Sequence, residues 1–462
     1  MERNTKMTDI NIAYVGGGSR GWAWGLMSDL AAEEQLSGTV RLYDIDEEAA
    51  KNNEIIGNSL YDRDDVKGKW RYKAVGSLAE ALIGVDFIII SILPGTFDEM
   101  ESDVHLPEKY GIYQAVGDTV GPGGLVRALR TIPMYIEIAN AIKEYSPNAW
   151  VINYTNPMSL CVRTLYEVFP EIKAFGCCHE VFGTQKVLAA ALEDVKGIKH
   201  VSREDIKTNV LGINHFTWID KASYKDMDLM PIYNEFVDKY YNDGYEGTEK
   251  GHWMNNSFTS ANRVKFDLYK RFGLIAAAGD RHLVEFVPNK WYLKDKKTIN
   301  NWKFGLTTVD YRKNDLKERL ARSERLLNKE EEFILRDTGE EGVKQIKALL
   351  GLEDLVTNVN MPNIGQIKDV KEGAIVETNA LFRHNQVVPI MAGSIPAPIK
   401  SMVDRHINNQ ETILRAALDK DKNLAYSAFI NDPLVTITLD ESRELFDQML
   451  ENTKNYLGGW NL

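Results

Sequence analysis

Ile10-Asn11-Ile12-Ala13-Tyr14-Val15-Gly16-Gly17-Gly18-Ser19-Arg20-Gly21 is an apolar run that ends in a cluster of glycines. Residues 10–15 read as a buried strand, and residues 22–32 continue as a helix. Gly16, Gly18 and Gly21 therefore sit on a strand–turn–helix and fit G-x-G-x-x-G. In that pattern, glycines allow a tight turn and a close backbone approach to a pyrophosphate at the helix N-terminus. The turn residues Gly16, Gly18, Ser19 and Gly21 are candidate cofactor contacts.

A second strand gives the pattern weight. Residues 40–43 end in Asp44, about twenty residues beyond the last glycine, where an acid accepts from the adenosine ribose hydroxyls and favours NAD over NADP. Arg41 precedes the acid, which leaves no obvious clamp for a 2'-phosphate. A helix cap is the competing reading of Asp44, since Asp46-Glu47-Glu48 opens a helical run. Further strands at 70–75, 87–92, 150–153 and 172–175 alternate with helices and predict a parallel sheet. The loops after Ser91, Asn153 and Gly176 should then face the cofactor. The expected fold is α/β, a Rossmann-like parallel sheet over residues 1–205. A mixed α+β domain is expected over 206–462, where the alternation stops and helices dominate.

Composition narrows the function. A chain of 462 residues with 44% hydrophobic and 26% charged residues has an ample core and does not match a disordered protein. A net charge of -12 argues against nucleic acid as the partner. The apolar run at 87–93 is too short to span a bilayer. Three cysteines, an odd number with no signal-peptide pattern at the start, point to a reducing cytoplasm.

Chemistry concentrates at Gly176-Cys177-Cys178-His179-Glu180, where a thiol, an imidazole and a carboxylate come after the last strand of the sheet. A thiolate and an imidazole suit a transition metal. Residues 207–219 read as a strand with a polar interruption at Asn214-His215, and His215 is either a core histidine or a second metal ligand. Asn153 and Asn156 end the strand at 150–153, where amides can bind ribose or substrate hydroxyls; Asn156 can also cap the helix at 157–169. The glycine-rich run at 110–124 reads as a flexible loop over the cofactor with Asp118 in its middle, and a helix occupies 125–145. Residues 272–286 place Asp280, Arg281, His282 and Glu285 behind a small-residue turn. Residues 385–398 are either a buried strand and turn or part of a subunit contact.

The order of the glycine turn, Thr155-Asn156-Pro157-Met158, Cys178-His179-Glu180-Val181 and Asn214-His215-Phe216 resembles glycoside hydrolase family 4 over most of the chain. That family is similar to lactate and malate dehydrogenases in its first half, yet hydrolyses glycosides with NAD and a divalent metal, usually manganese. The resemblance implies Cys178 and His215 as metal ligands and Asn156 as a substrate contact. It also implies His179 as proton donor, Asp118 as support for the base, and Asp280 as that base, with Arg281 and His282 as competing candidates for base or carboxylate binding. The Cys-His-Glu-Val tetrad resembles the α-galacturonidase branch, which implies a small α-galacturonide or short pectin-derived oligosaccharide as substrate and a homodimer or homotetramer as the assembly. α-Glucuronidase or α-galactosidase activity is the alternative within the family. A metal-assisted hydroxy-acid or sugar dehydrogenase is the alternative outside it.

Overall fold

The computed structural model describes residues 7–246 and 260–461. The first half alternates β1 (Thr8–Val15), α1 (Trp22–Ala32), β2 (Leu36–Tyr43), α2 (Glu47–Asn58), β3 (Lys69–Ala74), α3 (Leu78–Leu82) and β4 (Phe87–Ile90). It continues with α4 (Phe97–His105), α5 (Gly121–Tyr145), β5 (Trp150–Asn153), α6 (Met158–Val168), β6 (Lys173–Gly176) and α7 (Glu180–Lys196). The second half has β7 (Ile206–Ile213), β8 (Phe216–Tyr224), β9 (Met227–Asp228), α8 (Met230–Tyr240), α9 (Arg263–Phe272), β10 (Ile275–Ala276) and α10 (Asp280–Leu283). Beyond them lie α11 (Asn289–Tyr292), α12 (Lys296–Trp302), α13 (Val309–Leu327), α14 (Gly342–Leu349), β11 (Leu355–Pro362), β12 (Ile367–Lys368), β13 (Ile375–Arg383), β14 (Gln386–Pro389), β15 (Gly393–Ser394) and α15 (Ala397–Asp419).

The sheet order is β14-β13-β11-β6-β5-β4-β1-β2-β3. Strands β3, β2, β1, β4, β5 and β6 pair in parallel, the doubly wound order whose switch point lies between β1 and β4. Strands β11, β13 and β14 then extend the same sheet antiparallel from β6, joined at Asn360 and Gly176. The sheet thus takes strands from both sides of residue 205. Trp24, Met27 and Leu30 of α1 and Ile346 of α14 pack one face against Phe175 and Phe382. Tyr135, Ile138 and Ile142 of α5 and Leu165 of α6 cover the other against Ile88, Ile90 and Val151. Each such large apolar side chain contributes about 2 kcal/mol on burial.

Two local expectations change. The interrupted strand at 207–219 is a hairpin: β7 and β8 pair antiparallel from Ile213–Phe216 outward, and Asn214-His215 is its two-residue turn. His215 takes φ +64°, so the polar pair is the reversal itself rather than a break in one strand. The run at 110–124 is neither wholly loop nor free of the core. Gly121 to Gly124 begin α5, and Ile112, Ala115, Val116 and Val120 are buried. The Glu285 carboxylate accepts from Val116 N at 2.7 Å and Gly117 N at 2.9 Å, and Gln114 Oε1 accepts from Gly123 N at 2.8 Å. A side chain far along the chain supplies the acceptors these amides lack locally. Residues 386–389 form the edge strand of the sheet, with Val388, Ile390 and Met391 exposed.

Thr338 docks on α1 by donating from its hydroxyl to Asp29 Oδ2 at 2.6 Å and from its amide to Oδ1 at 3.4 Å. Burial pushes the Asp29 carboxyl up to about 7, against the hydrogen bonds from Thr338. An acid with a raised folded pKa favours the folded state while protonated, and that contribution is lost as pH rises through the folded value. Asp29→Asn should therefore stabilise the protein by roughly 1–3 kcal/mol at pH 8 and by little at pH 4. Thermal melts at the two pH values check this, and equal shifts at both would contradict it.

Candidate active site

The glycine turn is held from beneath. Gly16 N and Gly17 N both donate to Tyr43 O at 2.9 Å. Gly16 has φ +97°, and a Cβ there would lie 2.0 Å from Ser91 O, so the turn and the loop after β4 approach closer than any side chain permits. A Cβ on Gly18 would meet Ala49 Cβ at 2.7 Å and Asp44 Oδ2 at 2.9 Å. Gly18 is thus required by packing against α2 and Asp44. Ser19 Oγ accepts from Trp22 N at 3.2 Å and ties the turn to the first turn of α1.

Asp44 follows β2, with Oδ2 accepting from Gly18 N at 2.8 Å and Oδ1 from Asp46 N at 3.0 Å. The α2 cap is Asp46, which accepts from Ala49 N at 3.0 Å, so Asp44 is not the helix cap. Arg41 Nη1 donates to Glu80 O at 3.1 Å, away from the turn.

At the carboxyl end of β5 the side chains divide their work. Asn153 is wholly buried. Its Oδ1 accepts from Tyr135 Oη and its Nδ2 donates to Thr155 O, which shapes the loop. Thr155 Oγ1 in turn accepts from Ile92 N at 2.9 Å, joining the loops after β4 and β5. Asn156 does not cap α6, which starts at Met158 with no side-chain cap bond. Its Nδ2 lies 3.4 Å from Asp118 Oδ2, its backbone oxygen accepts from Arg127 Nε at 3.1 Å, and its buried Oδ1 has no partner among the described residues.

Asp118, His215 and His282 come together from α5's leading loop, the hairpin turn and α10, with one potential ligand atom from each lying within 4.8 Å of the others. His215 and His282 stack at 3.7 Å. Thr119 Oγ1 donates to Asp118 Oδ1 at 2.8 Å and lies 3.0 Å from His215 Nδ1. With its single proton given to Asp118, the hydroxyl can only accept from His215. Neutral His215 then carries its proton on Nδ1 and its lone pair on Nε2, an assignment made from the bonding pattern. Burial pushes His215 down to about 3 and, with less force, His282 below its ordinary value. Both rings are therefore neutral and able to ligate. Burial would raise the Asp118 carboxyl, but His282, His215, Arg127 and Arg312 outweigh it and hold it well below the usual carboxylate range. His282 Nδ1 is buried without a partner among the described residues. Two neutral imidazoles and an ionised carboxylate are a donor set for a divalent transition metal.

Cys178 is outside that trio, but its buried thiol lies against the Asn214 side chain, next to His215. Burial, with Glu377 and Glu180 nearby, pushes the thiol well above its ordinary value, so a cation is what would make it a thiolate. Cys177 faces the sheet core beside Phe175. His179 caps nothing: its Nδ1 is 2.8 Å from Glu340 Oε1. Burial lowers the His179 ring, but the Glu340 carboxylate overcomes this and pushes it up to about 9. Glu180 Oε2 accepts from Gly279 N at 2.6 Å. Asp280 is wholly buried, and its oxygens accept from Lys265 N at 3.0 Å and Val264 N at 3.3 Å, in the first turn of α9. Burial raises its carboxyl, moderated by Lys265.

Thr119, Glu340 and Arg312 carry no motif in the sequence. Thr119 adjoins a residue that does, whereas Glu340 and Arg312 reach the site only through the fold.

Known proteins match this chain over nearly its whole length. A model of family 4 glycosyl hydrolases matches residues 11–194, and a model of the family's C-terminal domain matches residues 210–435. The chain belongs to glycosyl hydrolase family 4. An alpha-galacturonidase of Thermoanaerobacterium saccharolyticum is 68% identical over 99% of this chain and 98% of its own length. The alpha-galacturonidase of Bacillus subtilis is 55% identical over 96% of this chain and 98% of its own. The crystal structure of the Bacillus subtilis protein lplD, 55% identical, superposes with a TM-score of 0.91 over 96% of this chain and all of that one. A 6-phospho-alpha-glucosidase from gut microorganisms, solved with NAD and Mn2+, shares the fold at 21% identity, with a TM-score of 0.80 over 97% of this chain and 99% of its own.

If Thr119 orients His215, Thr119→Val should weaken Mn2+ binding about 10- to 100-fold, the usual cost of losing a partner behind a metal ligand. Titration calorimetry with Mn2+ reads this directly. Unchanged affinity would show that the hydroxyl does not set the ring.

Proposed function

We propose that this family 4 enzyme is an α-galacturonidase that hydrolyses small α-galacturonides with NAD and Mn2+. The observation that carries the reading is full-length identity of 55 to 68% to proteins named alpha-galacturonidase. The doubly wound sheet, with Asn156 beyond the carboxyl end of β5 reaching Asp118 of the Asp118, His215 and His282 group, supports it from the structure.

In this reading Gly16, Gly18, Ser19 and Gly21 take the NAD pyrophosphate and Asp44 the adenosine ribose, while Asn153 shapes the loop beneath the nicotinamide. Cys178 and His215 would hold the metal, Asp118 and His282 are further donors within 4.8 Å of His215, and Asn156 would contact the sugar. Bound NAD supplies a hydride acceptor for C3 and later a hydride donor, while bound Mn2+ supplies a Lewis acid that makes the C2 hydrogen of the ketone acidic.

The side chains supply the proton transfers. Asp280, whose proton affinity is raised by burial and coupled to Lys265, takes the C2 proton, with Asp118 supporting that wall. His179, held by Glu340, gives its proton to the departing C1 oxygen. Water adds at C1, and return of the C2 proton and the hydride completes the turnover. We also propose a cytoplasmic location, supported by three unpaired cysteines, and assembly as a dimer or tetramer, which light scattering measures. Among the described residues no helix is long and apolar enough to cross a membrane.

The enzyme should release galacturonate from p-nitrophenyl α-galacturonide, without net NADH, and place deuterium at C2 in D2O. Steady NADH accumulation without hydrolysis would instead support a dehydrogenase. Chelation should abolish the activity and Mn2+ restore it, and Cys178→Ser should lower kcat/KM by at least about 100-fold, the loss expected when a metal ligand is removed. NAD should bind more tightly than NADP by calorimetry. The reverse order would remove Asp44 from its assigned role.

A further inference from the structure

Three guanidiniums converge on the wall around Asp118. Arg127 on α5, Arg281 on α10 and Arg312 on α13 all act electrostatically on this one carboxylate or are acted on by it. Asp118 is already committed, with Oδ1 accepting from Thr119 and Oδ2 facing Asn156 Nδ2. Arg281 donates from Nη1 to Thr307 Oγ1, and Arg127 donates from Nε to Asn156 O while its buried Nη1 lacks a described partner.

Arg312 stands out on its own helix. Lys313 pairs with Glu101, Arg319 with Asp315, and Arg322 and Arg325 with Glu331. For Arg312, among the described residues, no ion pair or side-chain hydrogen bond is formed, and its Nε is buried without a partner. A guanidinium whose Nε is buried without an acceptor costs free energy unless a ligand completes it, and its two Nη groups are not buried in that way. Its planar fork matches a carboxylate with two parallel hydrogen bonds.

Position selects which ligand. Arg319 lies against the glycine turn, where its Nη1 is 3.4 Å from Arg20 O. Arg312 is seven residues earlier, about 10 Å up the helix axis, at the level of Asp118. It therefore belongs to the sugar end of the crevice and not to the pyrophosphate end. In a pyranuronic acid the carboxylate is on C5, across the ring from C2. A ring with C2 and C3 turned to His215 and His282 presents its carboxylate on the opposite edge, toward the wall where Arg312 and Arg281 lie about Asp118.

We propose that Arg312, flanked by Arg281, receives the uronate carboxylate and sets the preference for an acidic over a neutral sugar. This rests on the α-galacturonidase reading. The test compares wild type with Arg312→Gln and Arg312→Lys, all loaded with NAD and Mn2+. The ratio of kcat/KM for p-nitrophenyl α-galacturonide over p-nitrophenyl α-galactoside should fall about 10- to 100-fold in Arg312→Gln, the loss expected for a hydrogen bond to a charged group. Most of that fall should come through KM. Arg312→Lys, which keeps the charge but not the fork, should recover part of it. Calorimetric affinity for free galacturonate should fall in parallel while affinities for galactose and NAD hold.

Equal losses on both glycosides, or a loss of NAD affinity, would overturn the inference in favour of a general or pyrophosphate role. Tighter binding of galactose 6-phosphate than of galacturonate by wild type would overturn the carboxylate assignment. If wild type binds galacturonate through Arg312 but cleaves no galacturonide, the activity reading fails and the receptor stands. If it cleaves galacturonide and Arg312→Gln binds galacturonate normally, the receptor fails and the activity reading stands.

Discussion

The site depends on one half-buried carboxylate that remains ionised. Burial disfavours the charge on Asp118; His282 and His215 oppose that penalty where they are protonated, and the Arg127 and Arg312 guanidiniums oppose it at every pH. The segments around it are the hairpin turn with His215, α10 with Arg281 and His282, α5 with Arg127, and α13 with Arg312. A charge buried in this way stabilises the fold only when all its partners are present. The same group therefore ties the dinucleotide half to the rest of the chain.

The two halves are joined mechanically as well. β11 pairs with β6 at Gly176, immediately before Cys177 and Cys178, so the strand that presents the thiol is no longer a sheet edge. Asn358 on β11 donates to the Cys178 carbonyl at 3.1 Å and to Glu377 Oε1 at 2.7 Å. Glu285 performs a similar task on the other side, gathering the amides of the 110–124 segment so that Asp118 and Thr119 face inward. Sites need supports of this kind because an error of an ångström in a ligand or base lowers the rate sharply.

Much of the first half is legible from its residues. Glycine spacing, the acid after the second strand and the alternation of apolar runs with helices are local signals, and the parallel order 3-2-1-4-5-6 agrees with them. The family-defining motifs are equally legible, because Asn156, Cys178 and His215 each carry their signature in adjacent residues. The hairpin reads as one interrupted strand because Asn-His is an uncommon reversal and no glycine marks it. The 110–124 segment reads as a flexible loop because the partners that bury it, Glu285 among them, lie more than 160 residues away.

The sequence by itself determined the strand–turn–helix, the acid at Asp44 after the second strand, the thiol and imidazole candidates and the family, since each rests on residues close together in the chain. Only the tertiary structure decided that His282 joins Asp118 and His215, that Thr119 bonds to Asp118 beside His215, that Glu340 pairs with His179, and that Arg312 faces Asp118. Those relations join residues up to 194 positions apart by packing, burial and charge balance. No local pattern encodes such pairings, because the energy that selects them exists only once the chain has closed around them.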